Sequence, residues 1–247
     1  MSEAPRLSLV VPAFNEAALL PRLLRTAEVA RSRYTHGPDG IEVIVADNGS
    51  TDATAGIALA HGCRVAAVEQ RVIAAVRNGG AALARGSMLA FVDADMQVHP
   101  DTFNAIDAAL CDPRIIGGAT GITAERWSPG IAFCYYCLFL PPARATGVDA
   151  GVAFCRRQDW VAVGGYDESR RFAEDVAFLW KLRRLGRTRG QRLVHLHGVK
   201  AVYSTRKFDQ YGDWHAIWQG ARLVLGLLAH RPTADRVIEQ YWYTDRR

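Results

Sequence analysis

Asp93 and Asp95 stand one residue apart in Met88–His99, MLAFVDADMQVH. An apolar run from Met88 to Val92 ends abruptly at the first of them, and a short apolar run bounded by polar residues predicts a buried strand. Side chains alternate along a strand, so carboxylates at i and i+2 leave its end pointing the same way. Like charges so placed repel one another unless something positive lies between them. A hard divalent cation, held partly by carboxylate and partly by the phosphates of a substrate, meets that need. A solvated acidic turn is the structural alternative.

The elements that would position this pair are legible on either side of it. Leu7–Val11 predicts a strand that passes through Pro12-Ala13-Phe14-Asn15-Glu16 into apolar residues at helical period, Leu19, Leu20, Leu23, Leu24 and Ala27. Pro21 suits a first helical turn, and Asn15 is a candidate helix cap as well as a candidate ligand group. Ile41–Ala46 predicts a second strand, followed by the polar turn Asp47–Asp52 and a helix closed by His61-Gly62. Cys63–Val68 predicts a third strand. Val72–Arg85 reads as a helix interrupted at Arg77-Asn78-Gly79-Gly80, and Asp101–Cys111 as a helix opened by Pro100. Alternating strands and helices at this spacing predict an α/β fold, with a mainly parallel central sheet and helices on both faces. Ligands of such sheets sit beyond the carboxyl ends of the strands. Residues 14–16, 47–52 and 93–95 all fall there.

Composition narrows the function. The 247 residues are 49% hydrophobic and 22% charged, ordinary for a chain that buries a core. A formal net charge of +5 suits an anionic ligand, an anionic membrane surface or nucleic acid. No run of like charge and no nucleic-acid motif supports the last, so no nucleic-acid partner is expected. There is no G-x-G-x-x-G after the first strand and no G-x-x-x-x-G-K-[ST], which counts against dinucleotide oxidoreductases and P-loop NTPases. The five cysteines are scattered, and MSEAPRLSLVV carries no long apolar signal core, so reduced thiols in a cytoplasmic protein are expected. Cys134 and Cys137 have metal or redox spacing but no second pair, and packing is the expectation for them. Ile131–Pro142 falls short of the roughly 20 residues of a spanning helix.

In their order along the chain, LSLVVPAFNEAALLPRLL, VIVADNGSTDAT and MLAFVDADMQVHPDTF resemble the nucleotide-binding half of family 2 glycosyltransferases. DAGVAFCRRQDWVAVGGYDESRRFAEDVAFLWKLRRLG resembles the acceptor-side segment of that family, and Tyr203–Phe208 its later basic motif. The resemblance runs from about Leu7 to Tyr211 and implies a GT-A type, Rossmann-like fold. A single domain over 1–247 is expected, with a nucleotide-sugar-binding half at 1–120, an acceptor-binding half at 121–210 and a C-terminal helical segment at 211–247.

Residue by residue, the resemblance implies a nucleotide pocket lined by Pro12, Ala13, Asn15 and Glu16. Asp47 would accept a hydrogen bond from the base, uracil, with Asp52 and Arg77 near the nucleotide or its phosphates. Asp93 would touch the ribose side of the donor, and Asp95 would hold Mg²⁺ or Mn²⁺ on the diphosphate. Asp175, after Glu174, would be the general base. Gly164, Gly165, Glu174 and Arg206 would lie on the acceptor and phosphate side, and His195 or His197 would complete the metal shell. The chemistry is coherent: a nucleoside diphosphate leaving group needs its developing charge stabilised, and an attacking hydroxyl needs a proton acceptor. Each assignment has a structural rival. Asp175 would complement a helix dipole over Val176–Leu185, ended by Gly186. Gly164-Gly165 would be a turn after a helix at Gln158–Val163, and Arg206-Lys207 a solvated basic pair.

The implied activity is transfer of a sugar from a UDP-linked donor to an acceptor hydroxyl, with inversion. The acceptor is a sugar, a lipid-linked or a small molecule, and peripheral contact with the inner face of a membrane is compatible with it. Ile131–Leu140 is a packed helix, a wall for an apolar acceptor or an interface-lying element, core packing being the expectation. Tyr211, Trp214, Trp218, Ala221, Leu225 and Leu228 trace one helical stripe. The Q-x-x-R-W signature and membrane helices of processive synthases are missing, which favours single additions. Asn48 departs from a position that is acidic in many relatives. Two rivals stand: a nucleotidyltransferase, which would want a basic Gly-rich loop after the first strand, and a non-catalytic nucleotide-sugar-binding module.

Overall fold

The computed structural model describes residues 4–141, 143, 149–170 and 173–214. Trp218, Ala221, Leu225 and Leu228 of the expected stripe lie outside the described residues. The chain divides into two compact units, Met1–Thr123 with Gly147–Tyr203, and Ala124–Thr146 with Ser204–Arg247.

In the first unit the strands, in chain order, are β1 Leu7–Ala13, β2 Ile41–Asp47, β3 Arg64–Ala67, β4 Met88–Phe91, β5 Met96–Gln97, β6 Ile115–Ala119, β7 from Ile122, β8 Ala153–Arg156, β9 Arg192–His195 and β10 Ala201–Tyr203. Seven of them form one sheet in the order β3-β2-β1-β4-β8-β6-β9. The pairs among β3, β2, β1 and β4 are parallel, as is β6 with β9. β8 runs antiparallel between β4 and β6. The mainly parallel sheet is as expected; the antiparallel strand at its centre is not.

Alternation along β1 divides the core. Leu7, Leu9 and Val11 face a cluster built on helices α1 Leu20–Ser32, α2 Thr54–Ala60 and α4 Thr102–Cys111. Val10 faces the other way, with Ile44 and Ala46 of β2, toward α3 Ile73–Leu83 and the helix Glu174–Thr188. Both sheet faces are therefore covered, as parallel strands with no water-facing side require. Val92 N donates to Val10 O at 3.1 Å, so Val10, and by alternation Pro12, present their backbone polar groups toward β4. Since β4 has ended by then, the N–H that Pro12 lacks is not needed.

Two helices pass through glycines that the sequence reads as an interruption or a stop. α3 is continuous through Gly79 and Gly80. A Cβ on Gly79 would fall 2.5 Å from Val68 Cγ2, and one on Gly80 2.5 Å from Val10 Cγ1, so these glycines allow the helix to approach the sheet rather than break it. The helix expected to begin at Val176 begins at Glu174, and it continues past Gly186 to Thr188. Gly186 marks close contact with Gln191 O, 3.0 Å from where a Cβ would sit.

At the amino ends of the strands, Glu42 is buried and accepts from Ser8 Oγ and Arg85 N at 2.6 Å each, and from Arg64 and Arg85 side chains at 3.0 Å. A cavity of about 590 Å³ lined by Arg6, Met88, Asp107, Arg156 and Arg157 opens at the same end.

In the second unit, Ser128 caps the short helix α5 Pro129–Phe133, its Oγ accepting from Ile131 N at 3.2 Å. A π-helical turn, Cys134–Phe139, continues it. Ile131 is buried, but Phe133, Tyr136 and Leu138 are exposed, so this stretch is not the core helix expected. Both cysteines of the turn are free thiols. Arg126 ties the unit together, donating to Asp209 Oδ1 at 2.7 Å and to Asp213 Oδ1 at 2.6 Å. Tyr211 ends the helix Arg206–Tyr211, and Trp214 is half exposed.

Candidate active site

The loops after β1, β2 and β4 leave adjacent parallel strands at the same edge. After β1, Asn15 adopts a left-handed backbone, φ 52°. Its Oδ1 accepts from Thr51 N at 2.8 Å, and its own N–H donates to Ser50 Oγ at 2.9 Å. Glu16 N donates to Thr54 Oγ1 at 2.8 Å. Asn15 is therefore a strut between the two loops and not the cap of α1, whose N-cap is Leu19. Asp52 completes the tie: its carboxylate accepts from Thr54 N at 2.9 Å, Thr54 Oγ1 at 2.5 Å and Ala17 N at 3.1 Å. Partial burial works to raise its pKa, but these donors outweigh it and hold the group below the usual carboxylate range. Both of its oxygens are thus taken up by protein.

Asp47 ends β2 and is 8% exposed. Its Oδ2 accepts from Ser50 N at 3.2 Å, while its Oδ1 is buried with no hydrogen-bond partner among the described residues. A buried acceptor left empty is costly, so this oxygen awaits a donor. Asn48 beside it gives its amide hydrogens to Val68 O at 2.7 Å and Gln70 O at 3.0 Å. Phe14 carries the Arg71 guanidinium over its ring at 5.5 Å.

Asp93 and Asp95 lie in the turn between β4 and β5, closed by Met96 N donating to Asp93 O at 3.1 Å. Arg77 Nη2 donates to Asp93 Oδ1 at 2.7 Å. Its Nη1 donates to Glu174 Oε1, and its guanidinium lies 5.3 Å over the ring of Tyr166. Burial works against the charged guanidinium; Asp93, Tyr166, Glu174 and Asp175 outweigh it, and its pKa is raised. Tyr166 is itself stacked on Phe178 at 4.3 Å and set edge-on to Phe91 at 5.0 Å, which anchors this group in the core. The resemblance places Arg77 near phosphate; in the structure its side chain is buried between two carboxylates and a ring.

Asp175 stands beside Glu174 in the first turn of the helix Glu174–Thr188. Its Oδ1 accepts from Val176 N at 2.7 Å, and its other oxygen has no hydrogen-bond partner among the described residues. Gly164 and Gly165 both have positive φ, 70° and 62°. They close the helix Arg157–Ala162 through bonds to Val161 O and Trp160 O at 3.0 Å, and Lys181 Nζ donates to Gly165 O at 3.2 Å. Asn78 holds the next residue by both backbone groups, accepting from Tyr166 N and donating to Tyr166 O at 2.9 Å.

His195 ends β9 with its Nδ1 2.6 Å from Asp149 Oδ2 and its ring stacked on His197 at 3.9 Å. Burial lowers its pKa, Asp149 opposes that, and His197 and Lys200 reinforce it. Among the described residues no three His, Cys, Asp or Glu side chains form a ready-made metal cage. The donor set fits an ion completed by substrate: Asp95 leaves the same turn as Asp93, and oxygen donors on phosphate would supply the rest. Arg206 opens a helix of the second unit, with its N–H donating to Ser204 Oγ at 3.3 Å. Asn78 and Tyr166 were not singled out in the sequence; the RNGG and GGY motifs contained them but gave no sign of their contact.

Residues 8–132 match the model of glycosyl transferase family 2. The chain belongs to that family. Validoxylamine A glucosyltransferase of Streptomyces hygroscopicus subsp. limoneus is 37% identical over 118 residues, 45% of this chain and 25% of that protein. The chain thus spans about a quarter of the length of this curated relative. Two solved structures of family 2 type share its fold. Mannosyltransferase PcManGT from Pyrobaculum calidifontis, in complex with GDP-Man and Mn²⁺, superposes with a TM-score of 0.68 at 24% identity, covering 90% of this chain and 62% of that one. S. aureus TarS 1–349 in complex with UDP-GlcNAc superposes at 0.63 and 20% identity, covering 81% and 58%. No described helix is long and apolar enough to cross a membrane.

Proposed function

We propose that this family 2 chain transfers a sugar from a nucleoside-diphosphate sugar, UDP-linked, to an acceptor hydroxyl, once per encounter and with inversion. The observation that carries the reading is the Arg77 bridge. It joins Asp93, at the end of β4, to Glu174, beside Asp175, so the two carboxylate motifs that the chemistry needs stand at one place. The empty, buried Oδ1 of Asp47 supports base recognition, since the imide N–H of uracil is a donor suited to it. Asp47 and the backbone of Pro12, Ala13 and Asn15 bind and orient the nucleotide. Asp95 would hold Mg²⁺ or Mn²⁺, which supplies charge stabilisation to the departing diphosphate when bound. Asp175 takes the proton of the acceptor hydroxyl as its oxygen attacks the anomeric carbon and the bond to the diphosphate breaks.

The TarS complex with UDP-GlcNAc and the PcManGT complex with GDP-Man support a nucleotide-sugar donor of one of these two bases. Thermal unfolding with UDP, GDP and CMP, each with and without Mn²⁺, tests the reading. A ligand at about 100 times its dissociation constant adds about 2.7 kcal/mol. Stabilisation by UDP that depends on Mn²⁺ is expected; a preference for GDP moves the donor to a GDP-sugar, and no shift from any nucleotide overturns the transferase reading. Anomer analysis of the product tests Asp175, because a retained configuration is incompatible with its role as base in a single displacement.

A further inference from the structure

Resting on that reading, we propose that Arg77 is a positioning residue that couples the donor-side carboxylate Asp93 to the start of the helix bearing Asp175, acting through Glu174. Arginine offers donors in a rigid planar fork, so two carboxylates bound to its separate nitrogens are held at a fixed separation and angle. Here one nitrogen is given to Asp93 at 2.7 Å and another to Glu174. The third constraint is the ring of Tyr166 under the guanidinium at 5.3 Å, itself locked by Phe178 and Phe91. The strut therefore has one end in the crevice, where the Asp93 side chain is 39% exposed, and one end buried at Glu174, 10% exposed.

The backbone at the buried end supports the same conclusion. Ala173, immediately before Glu174, is left-handed with φ 54°. An alanine rarely adopts that region, and one that does is held there by its surroundings. The ion pair of Glu174 with Arg77 anchors the next residue, and so fixes the entry into the helix and the direction of Asp175. Two carboxylates thus share one guanidinium. A lysine at this position would keep the charge but lose the fork.

The test uses the full chain and UDP with Mn²⁺ as the probe. Dissociation constants are measured by calorimetry for the wild type, Glu174→Ala, Arg77→Met and the double variant. Glu174→Ala, which leaves Asp47, Asp93 and Asp95 in place, is expected to weaken binding at least about fivefold, the lower end of ordinary coupling between sites. In the Arg77→Met background the same change is expected to add nothing. Unchanged affinity in Glu174→Ala, or factors that simply multiply, would overturn the coupling.

Amide hydrogen exchange gives a reading without ligand. In Arg77→Met, residues 93–96 and 174–177 are both expected to exchange faster, with the rest of the sheet unaltered. Acceleration in only one of the two segments refutes the strut. Arg77→Lys replaces Arg77→Met in both measurements if the latter melts without a cooperative transition. Wild-type protein that binds no nucleotide while both segments respond to the substitution overturns the transferase reading and leaves the strut standing.

Discussion

Asn48 shows how a single departure from a family pattern acquires a reason. Its amide hydrogens satisfy Val68 O and Gln70 O, the carbonyls that follow β3, and a carboxylate there has nothing to donate. Asn48→Asp would lose both bonds and turn a negative charge on two carbonyls. The expected cost is about 2 kcal/mol, read as a fall in melting temperature of about 4–8 °C. A second expectation separates two acids of the site. Asp95→Asn should weaken Mn²⁺-dependent UDP binding about tenfold or more, whereas Asp175→Asn should spare that binding and reduce turnover by about 10²–10⁴. Equal losses of UDP affinity in the two variants would refute this division of labour. The positions of Asp47, Asp93 and Asp95 at strand ends were legible because the apolar runs before them stop where the strands do. The bond between Arg77 and Glu174 was not, since the two lie 97 residues apart and nothing local marks either as a partner. Asp52, expected near the nucleotide, is an exposed acidic residue whose oxygens bond within and between the loops after β1 and β2.

At the scale of elements, helical period and apolar runs located the strands and helices, while glycine was misread. Gly79, Gly80 and Gly186 look like helix breakers in sequence, yet each sits inside a helix where a neighbour crowds the place a Cβ would take. Propensity sees the local entropy cost of glycine; only the packed structure reveals the compensation. The contact of α4 with the segment before β1 and with the end of α1 was equally hidden. Asp107 of α4 accepts from Arg6 Nη2 at 2.9 Å and from Tyr34 Oη at 2.5 Å. Burial works to raise the Asp107 pKa, but the bonds from Arg6 and Tyr34 prevail and hold it below its ordinary value; burial and the bond to Asp107 push the Tyr34 hydroxyl up to about 12. A carboxylate depressed on folding contributes stability that is full above its unfolded value near 3.8 and is lost as pH falls through the folded value. Asp107→Asn should therefore be less stable at pH 7, by about 1–2 kcal/mol given the half-exposed Arg6. Its stability should also fall less steeply than wild type between about pH 5 and 2 in urea titrations.

At the scale of the molecule, the parallel half of the sheet followed from alternating strands and helices, and the carboxyl edge of that sheet from the same pattern. The place of β8 did not follow. VAFC is apolar enough to be a buried strand, but chain direction depends on the connections around it, and these have no period to read. Its place has a consequence for how the chain is made. β4 is bonded on one side to β1 and on the other to β8, so the centre of the sheet stays open until residues 153–156 exist. Until then, a nascent chain presents the unpaired edge of an apolar strand, a template for pairing with another copy. The segment 8–132 that carries the family match ends before that strand. Expressed alone, it should show no cooperative unfolding transition and should aggregate, where the full chain melts cooperatively; light scattering and urea denaturation distinguish the two. Late strand insertion makes the native pairing long-range, hence slow to form, and a translating ribosome must carry the exposed edge of β4 across the whole interval.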